Sequence, residues 1–184
     1  LQALQTQGLT VTQNTEGTWK LPAEASAHEL DVDNQTIVLL AMKTDDTFGA
    51  IEQHSSLYRD LPLVSFQNGV TNEEWLSQKG FTTYGCTVMV GAEITEPGNV
   101  RHSGGKLLEV GKWPSGNDLT SDALVADLNE SGMDASVDER VIDGKWGKLV
   151  RNLANAYLAL TDLSVQEASC DPLDRQFIAD VNEE

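Results

Sequence analysis

Cations are scarce in this 184-residue sequence: 12 Lys and Arg stand against 29 Asp and Glu, for a formal net charge of −17 with histidine neutral. Nucleic-acid affinity depends on Lys and Arg displacing counterions from phosphates, so this balance excludes a general phosphate-backbone binder. It predicts a well-solvated surface, with adaptation to a salty cytoplasm as a second expectation. Cysteine is scarce too. Cys86 and Cys170 are far apart in sequence, which argues against a disulfide framework and for buried or incidental thiols. His28, His54 and His102 are scattered, and no Cys-x-x-Cys, His-Glu-x-x-His or Gly-x-Ser-x-Gly spacing occurs. Metal and serine-nucleophile chemistry are therefore not expected. No apolar run approaches the roughly 18 residues that cross a bilayer, and the opening Leu1-Gln2-Ala3-Leu4-Gln5 lacks the charged and apolar regions of a signal peptide. The expectation is a soluble, cytoplasmic chain with no membrane partner.

What the sequence does contain is the profile of a folded globular protein: 40% hydrophobic and 22% charged residues, with aromatics spread along its length. Domains usually run to about 100 to 150 residues, so the chain can bury one core and the beginning of a second. The opening stretch reads as the end of a helix running into strands at 9–12 and 18–21. Residues 34–43, Asn-Gln-Thr-Ile-Val-Leu-Leu-Ala-Met-Lys, form a continuous apolar run with a polar end, the pattern of a strand buried on both faces of a parallel sheet. A helix over 47–58 and a second apolar run at 61–66 complete a βαβ unit. A helix at 72–79 follows, then β-rich stretches at 82–94 and 100–113. The Glu96-Pro97-Gly98-Asn99 turn joins these two as an antiparallel hairpin, which makes the sheet mixed. Residues 121–131 predict a helix ended by Ser131-Gly132, and 135–137 a short strand. From Val141 the pattern changes to one long amphipathic helix over 141–160 and two helical segments, 164–169 and 172–181, with no strand between them. The expected class is α/β: an incomplete Rossmann-like domain over 1–139, then the start of an all-helical domain over 140–184.

In open α/β sheets, ligands bind beyond the carboxyl ends of the strands. Two polar residues fall there: Lys43, and Asn68 in Gln67-Asn68-Gly69-Val70. An amide at that place orients a carbonyl or carboxamide, and Gly69 lets backbone and ligand approach closely. On spacing alone, Asn68-Gly69 also reads as an ordinary turn, and Lys43 as a solvated strand end. A basic island is more informative. Arg140, Lys145, Lys148 and Arg151 make up a third of the chain's cations, with Asp143 as the one acid among them. At 3.6 residues per turn, Lys145, Lys148, Asn152 and Asn155 share one helix face, and Trp146, Leu149, Val150, Leu153 and Tyr157 the face expected to pack. The polar face suits a small anion bearing a carbonyl, with one lysine stabilising or protonating a developing alkoxide. The competing reading is a solvated face tethered by weak salt bridges.

Four segments add to this in order and spacing: Ile37-Val38-Leu39-Leu40-Ala41-Met42-Lys43-Thr44, Gln67-Asn68-Gly69-Val70-Thr71-Asn72-Glu73-Glu74, the stretch 91–104 that contains Glu96-Pro97-Gly98-Asn99 and His102, and Trp146-Gly147-Lys148-Leu149-Val150-Arg151-Asn152. Together they resemble the ketopantoate reductase family over nearly the whole chain. The resemblance implies NADPH-dependent reduction of 2-dehydropantoate to pantoate, a step of pantothenate and coenzyme A synthesis. Its alternatives are reduction of another 2-keto acid and an inactive nucleotide-binding regulatory module. It implies that Lys148 is catalytic and acts on the carbonyl oxygen, that Asn68 lies near nicotinamide and substrate, that Lys43 lines the cofactor cleft, and that Asn152 binds substrate. A homodimer stays open. Where the family has a further asparagine two turns after the lysine, this sequence has Ala156, with Asn155 about 100° away around the helix. The glycine-rich turn that grips a pyrophosphate is expected upstream of Leu1, and the family's substrate-binding glutamate and serine downstream of Glu184. His102 is read as structural, and Trp113 and Trp146 as packing residues.

Overall fold

The computed structural model describes residues 2–13, 17–23 and 32–183; His28 lies outside them. Helix α1 (Gln2–Gln7) leads into β1 (Leu9–Gln13) and β2 (Gly17–Leu21). Then come β3 (Val38–Leu40), α2 (Thr44–Gln53), α3 (Ser55–Tyr58), β4 (Leu63–Ser65), α4 (Asn72–Gln78), β5 (Thr83–Glu96), β6 (Asn99–Lys112), α5 (Leu119–Glu130) and β7 (Asp134–Val137). The chain continues with α6 (Val141–Thr161), α7 (Val165–Cys170) and α8 (Pro172–Glu183). The strands form one mixed, seven-stranded sheet in the order β2-β1-β6-β5-β4-β3, with β7 also paired to β6. β3, β4 and β5 are parallel, and β5 and β6 are the expected antiparallel hairpin. The architecture is α/β and Rossmann-like, as the sequence pattern predicts. The helix expected over 47–58 is broken at His54 into α2 and α3.

Apolar side chains collect in two groups. Tyr84, Cys86, Leu108, Val110, Leu124 and Ala135 pack between the sheet and α5, and Leu40, Ile51, Leu63, Leu76 and Phe81 pack around α2 and α4. β4 contributes to both and is buried throughout. At the start of α5, Asp118 caps the helix by accepting from the Thr120 and Ser121 amides, while Tyr84 Oη and Lys112 Nζ donate to its carboxylate at 2.9 and 2.8 Å. Both cysteines are free; burial pushes the Cys86 thiol up to about 12, which leaves it no nucleophilic character. Among the described residues no helix is long and apolar enough to cross a membrane.

Two expectations are corrected. The run over 34–43 narrows to three-residue β3, where Leu40 is buried but Leu39 is 47% exposed. Among the described residues β3 pairs with β4, and the face that carries Leu39 is left open while the face that carries Leu40 is covered. The first half of the long helix α6 also packs the opposite way round, while farther along Tyr157, on the face expected to pack, rests on Phe177 of α8. Val141 and Lys145 are buried, whereas Trp146, Val150 and Leu153 lie on the exposed side. The reason is what α6 lies on: it packs against β5 and β6, where the Val88 carbonyl of β5, the Gln67 carbonyl after β4 and the buried Glu73 carboxylate of α4 offer partners to its amines.

Two glycines permit that close approach. A Cβ on Gly111 would stand 1.9 Å from the Asp138 carbonyl oxygen and 2.9 Å from Val141 Cβ, and one on Gly144 would stand 2.9 Å from Thr87 Oγ1. Gly111→Ala therefore forces the backbone at the start of α6 away from the sheet. It is expected to cost about 1–3 kcal/mol of stability, the usual cost of overpacking, read from urea denaturation; an unchanged midpoint would refute the close contact.

Candidate active site

Because β3 and β4 are parallel neighbours, their carboxyl ends open side by side. They border a cavity of about 350 Å³ lined by Met42, Lys43, Thr44, Phe66, Gln67 and Asn68, together with Ala41. Lys43 sits at the N-cap position of α2, with its side chain exposed and making no capping bond. Asn68 is exposed at the end of the β4 segment, and Gly69, at φ 89°, turns the chain toward α4 in a conformation that only glycine adopts readily. The two strand-end residues singled out in the sequence thus share one cavity.

Beneath it the strand ends are cross-braced. The buried Gln67 amide donates to the Met42 carbonyl at 2.8 Å and to Thr47 Oγ1 at 2.7 Å, and its oxygen accepts from Ser65 Oγ at 3.4 Å. Asn72 Nδ2 donates to Thr44 Oγ1 at 3.1 Å. The backbone that carries Lys43 and Asn68 is thereby fixed while both side chains remain free to meet a ligand.

Helix α6 brings the amines. Lys148 is half-buried and its Nζ donates to the Val88 carbonyl. Burial holds its pKa below the ordinary lysine value, and the charges of Lys145 and Arg151 push it the same way, with only Cys86 opposing. Lys145 is almost wholly buried; its Nζ forms an ion pair with Glu73 and donates to the Gln67 carbonyl at 2.9 Å and to Ser65 Oγ at 3.5 Å. Asn152 lies one turn beyond Lys148, partly buried, and accepts from Asn155 Nδ2 at 3.4 Å. Ala156 and Asn155 are exposed. Lys148 and Asn152 are not among the residues that line the strand-end cavity; α6 is joined to its floor through Lys145.

His102 bonds the Gly105 carbonyl at 2.8 Å within the hairpin, a structural contact. Trp146 is 52% exposed on the outward side of α6, which corrects its reading as a packing residue. Glu73 is the residue that sequence reasoning missed. A glutamate in the first turn of a helix is ordinary, and nothing in its spacing points to a partner 72 residues away.

The open α/β sheet with a cavity at its strand ends places the chain among Rossmann-like proteins. The family model described as "Ketopantoate reductase PanE/ApbA" matches residues 1–115. The chain belongs to this family. The 2-dehydropantoate 2-reductase of Pyrococcus horikoshii is 30% identical over 118 residues, covering 64% of this chain and 39% of that protein. The same-named protein of Halobacterium salinarum is 29% identical over 130 residues, covering 69% and 43%. This chain therefore spans about two fifths of the length of these curated relatives. Among solved structures, a PanE/ApbA family ketopantoate reductase from Ralstonia eutropha superposes with a TM-score of 0.80 at 25% identity, over 99% of this chain and 60% of that one. A D-mandelate dehydrogenase in complex with NADH and anilino(oxo)acetate superposes at 0.81 and 20% identity, over 97% and 59%, a likeness of fold.

Proposed function

We propose that the protein reduces 2-dehydropantoate to pantoate with NADPH, a step of pantothenate and coenzyme A synthesis. Residues 1–139 would serve as the dinucleotide-binding domain and 140–184 as the start of a helical domain that completes the substrate site. The observation that carries the reading is the lining of the strand-end cavity. In a chain of net charge −17 it offers one cation, Lys43, one free amide, Asn68, and no carboxylate. That donor set fits an anionic cofactor bearing a carboxamide, and the volume falls within the roughly 300–1,000 Å³ usual for ligand pockets.

When bound, the nicotinamide supplies the hydride. Lys43 balances phosphate charge, and Asn68 orients the carboxamide or the keto oxygen. Lys148 holds a proton and passes it to the carbonyl oxygen as charge develops there. Asn152, one turn along the same helix, bonds the substrate's carboxylate or hydroxyl once water is excluded. The protein is expected to work in the cytoplasm. A homodimer agrees with the dimeric ketopantoate reductase of Staphylococcus aureus, whose fold it shares at a TM-score of 0.73.

NADPH oxidation by the full-length protein with 2-dehydropantoate tests this directly, run beside NADH and a panel of 2-keto acids. Absence of oxidation with every keto acid, despite NADPH binding, would leave a regulatory nucleotide-binding module. Asn68→Ala is expected to lower kcat/KM roughly tenfold to a hundredfold, since a ligand polar group left without its partner once water is excluded costs about 1–3 kcal/mol; wild-type kinetics would remove Asn68 from the site. A second reading, reduction of another 2-keto acid, is favoured by exposed Ala156, which replaces an amide with a methyl on the face that carries Lys148 and Asn152. Preference within the substrate panel decides between the two.

A further inference from the structure

We propose that Lys145, held by Glu73, is a positioning residue that clamps α6 to the Asn68 turn and so sets where Lys148 stands relative to the strand-end cavity. The inference rests on the reading of Lys148 as the proton donor. Lys145 is 3% exposed and Glu73 is fully buried. Two charges so deep are a poor means of gaining stability, because an apolar pair of similar volume often does as well or better. What the ion pair adds is direction.

An ammonium has three donors. Those of Lys145 face three acceptors: the Glu73 carboxylate, the Gln67 carbonyl and Ser65 Oγ. Gln67 immediately precedes Asn68, and Glu73 lies on α4 just after the turn, so one amine grips the turn from both ends. The Gln67 side chain carries the connection on to the Met42 carbonyl and Thr47, and thus to the segment that bears Lys43. Lys145 and Lys148 stand three residues apart on one helix face, so any roll or slide of α6 that loosens the first displaces the second. Apolar contacts would hold the helix down while leaving such a slip open, and a displacement of about 1 Å near a reacting centre can lower the rate roughly 100-fold.

The test is the double variant Lys145→Met with Glu73→Leu, which removes both charges and strands neither. Two quantities are read: the titration of the Lys148 amine by nitrogen-edited NMR, and kcat and KM for keto-acid reduction. Lys148 faces Lys145 and Arg151 on its own helix and Cys86 on β5, while Asp138 and Glu109 lie beside Gly144 near the helix start. With Lys145 gone, the Lys148 titration is expected to move upward, and kcat to fall roughly 10- to 100-fold with little change in KM.

Glu73→Gln keeps an oxygen acceptor for Lys145 and is expected to retain most of kcat despite lower stability. A purely structural pair predicts the reverse order, with activity following stability. A folded double variant with wild-type Lys148 titration and wild-type kcat would overturn the proposal, as would a Glu73→Gln variant less active than the double variant. The titration needs no turnover. If the wild-type protein reduces no keto acid, the functional reading falls while the titration still decides whether Lys145 governs Lys148.

Discussion

Lys148→Ala is expected to lower 2-keto acid turnover by roughly 100- to 10,000-fold, the span contributed by a positioned acid or base, with cofactor binding largely intact. The expectation follows from where the amine is held. Its Nζ donates to the Val88 carbonyl on β5, a contact that fixes the side chain without neutralising its charge. Burial, with the charges of Lys145 and Arg151, makes the ammonium easier to deprotonate than a free lysine. An acid whose pKa lies nearer the working pH is a better proton donor.

The sign of the pH dependence follows. A donor must enter the reaction protonated, so the rate is full below the lowered pKa of Lys148 and is lost as pH rises through it. The same shift acts on stability in the opposite sense. Between the folded value and the ordinary lysine value the unfolded chain binds the extra proton, so stability rises with pH across that window. Turnover by Lys148→Ala within a few-fold of wild type, or an unchanged alkaline limb in Lys148→Arg, would remove Lys148 from the proton-transfer step.

The strand-end residues were legible in the sequence because their signal is local. An apolar run that ends in Lys43, and another that ends in Gln67-Asn68-Gly69, mark two carboxyl termini, and a parallel pairing necessarily sets them side by side. The hairpin was legible for the same reason, with its turn residues placed between two β-rich stretches. The facing of α6 was not. Periodicity correctly separated Lys145 and Lys148 from Trp146, Val150 and Leu153, but marked the apolar side as the one that packs. Which face packs depends on what waits opposite, and here that is the Val88 and Gln67 carbonyls and the Glu73 carboxylate, all distant in sequence. The open face of β3 has a related cause: an apolar run records that a strand can be covered on both faces, whereas the elements that pack on each face decide whether it is.

Removing one partner of the buried Lys145–Glu73 pair is expected to produce the largest loss of stability of any substitution considered, about 3–5 kcal/mol. The two single variants should not be equal. In Glu73→Leu the ammonium keeps the Gln67 carbonyl at 2.9 Å and Ser65 Oγ at 3.5 Å as acceptors. In Lys145→Met the carboxylate loses its one partner among the described residues, since Oε1 bonds only Lys145 and Oε2 bonds no protein group. Leaving a buried charge wholly unpaired is the costlier state, so Lys145→Met should denature at lower urea than Glu73→Leu. The double variant should recover most of the loss, because neither charge then remains in the interior. Equal midpoints for the two single variants would mean that the Gln67 and Ser65 contacts do not support the amine. A double variant no more stable than the worse single would mean that the packing around the pair, rather than its charge, holds α6 against α4.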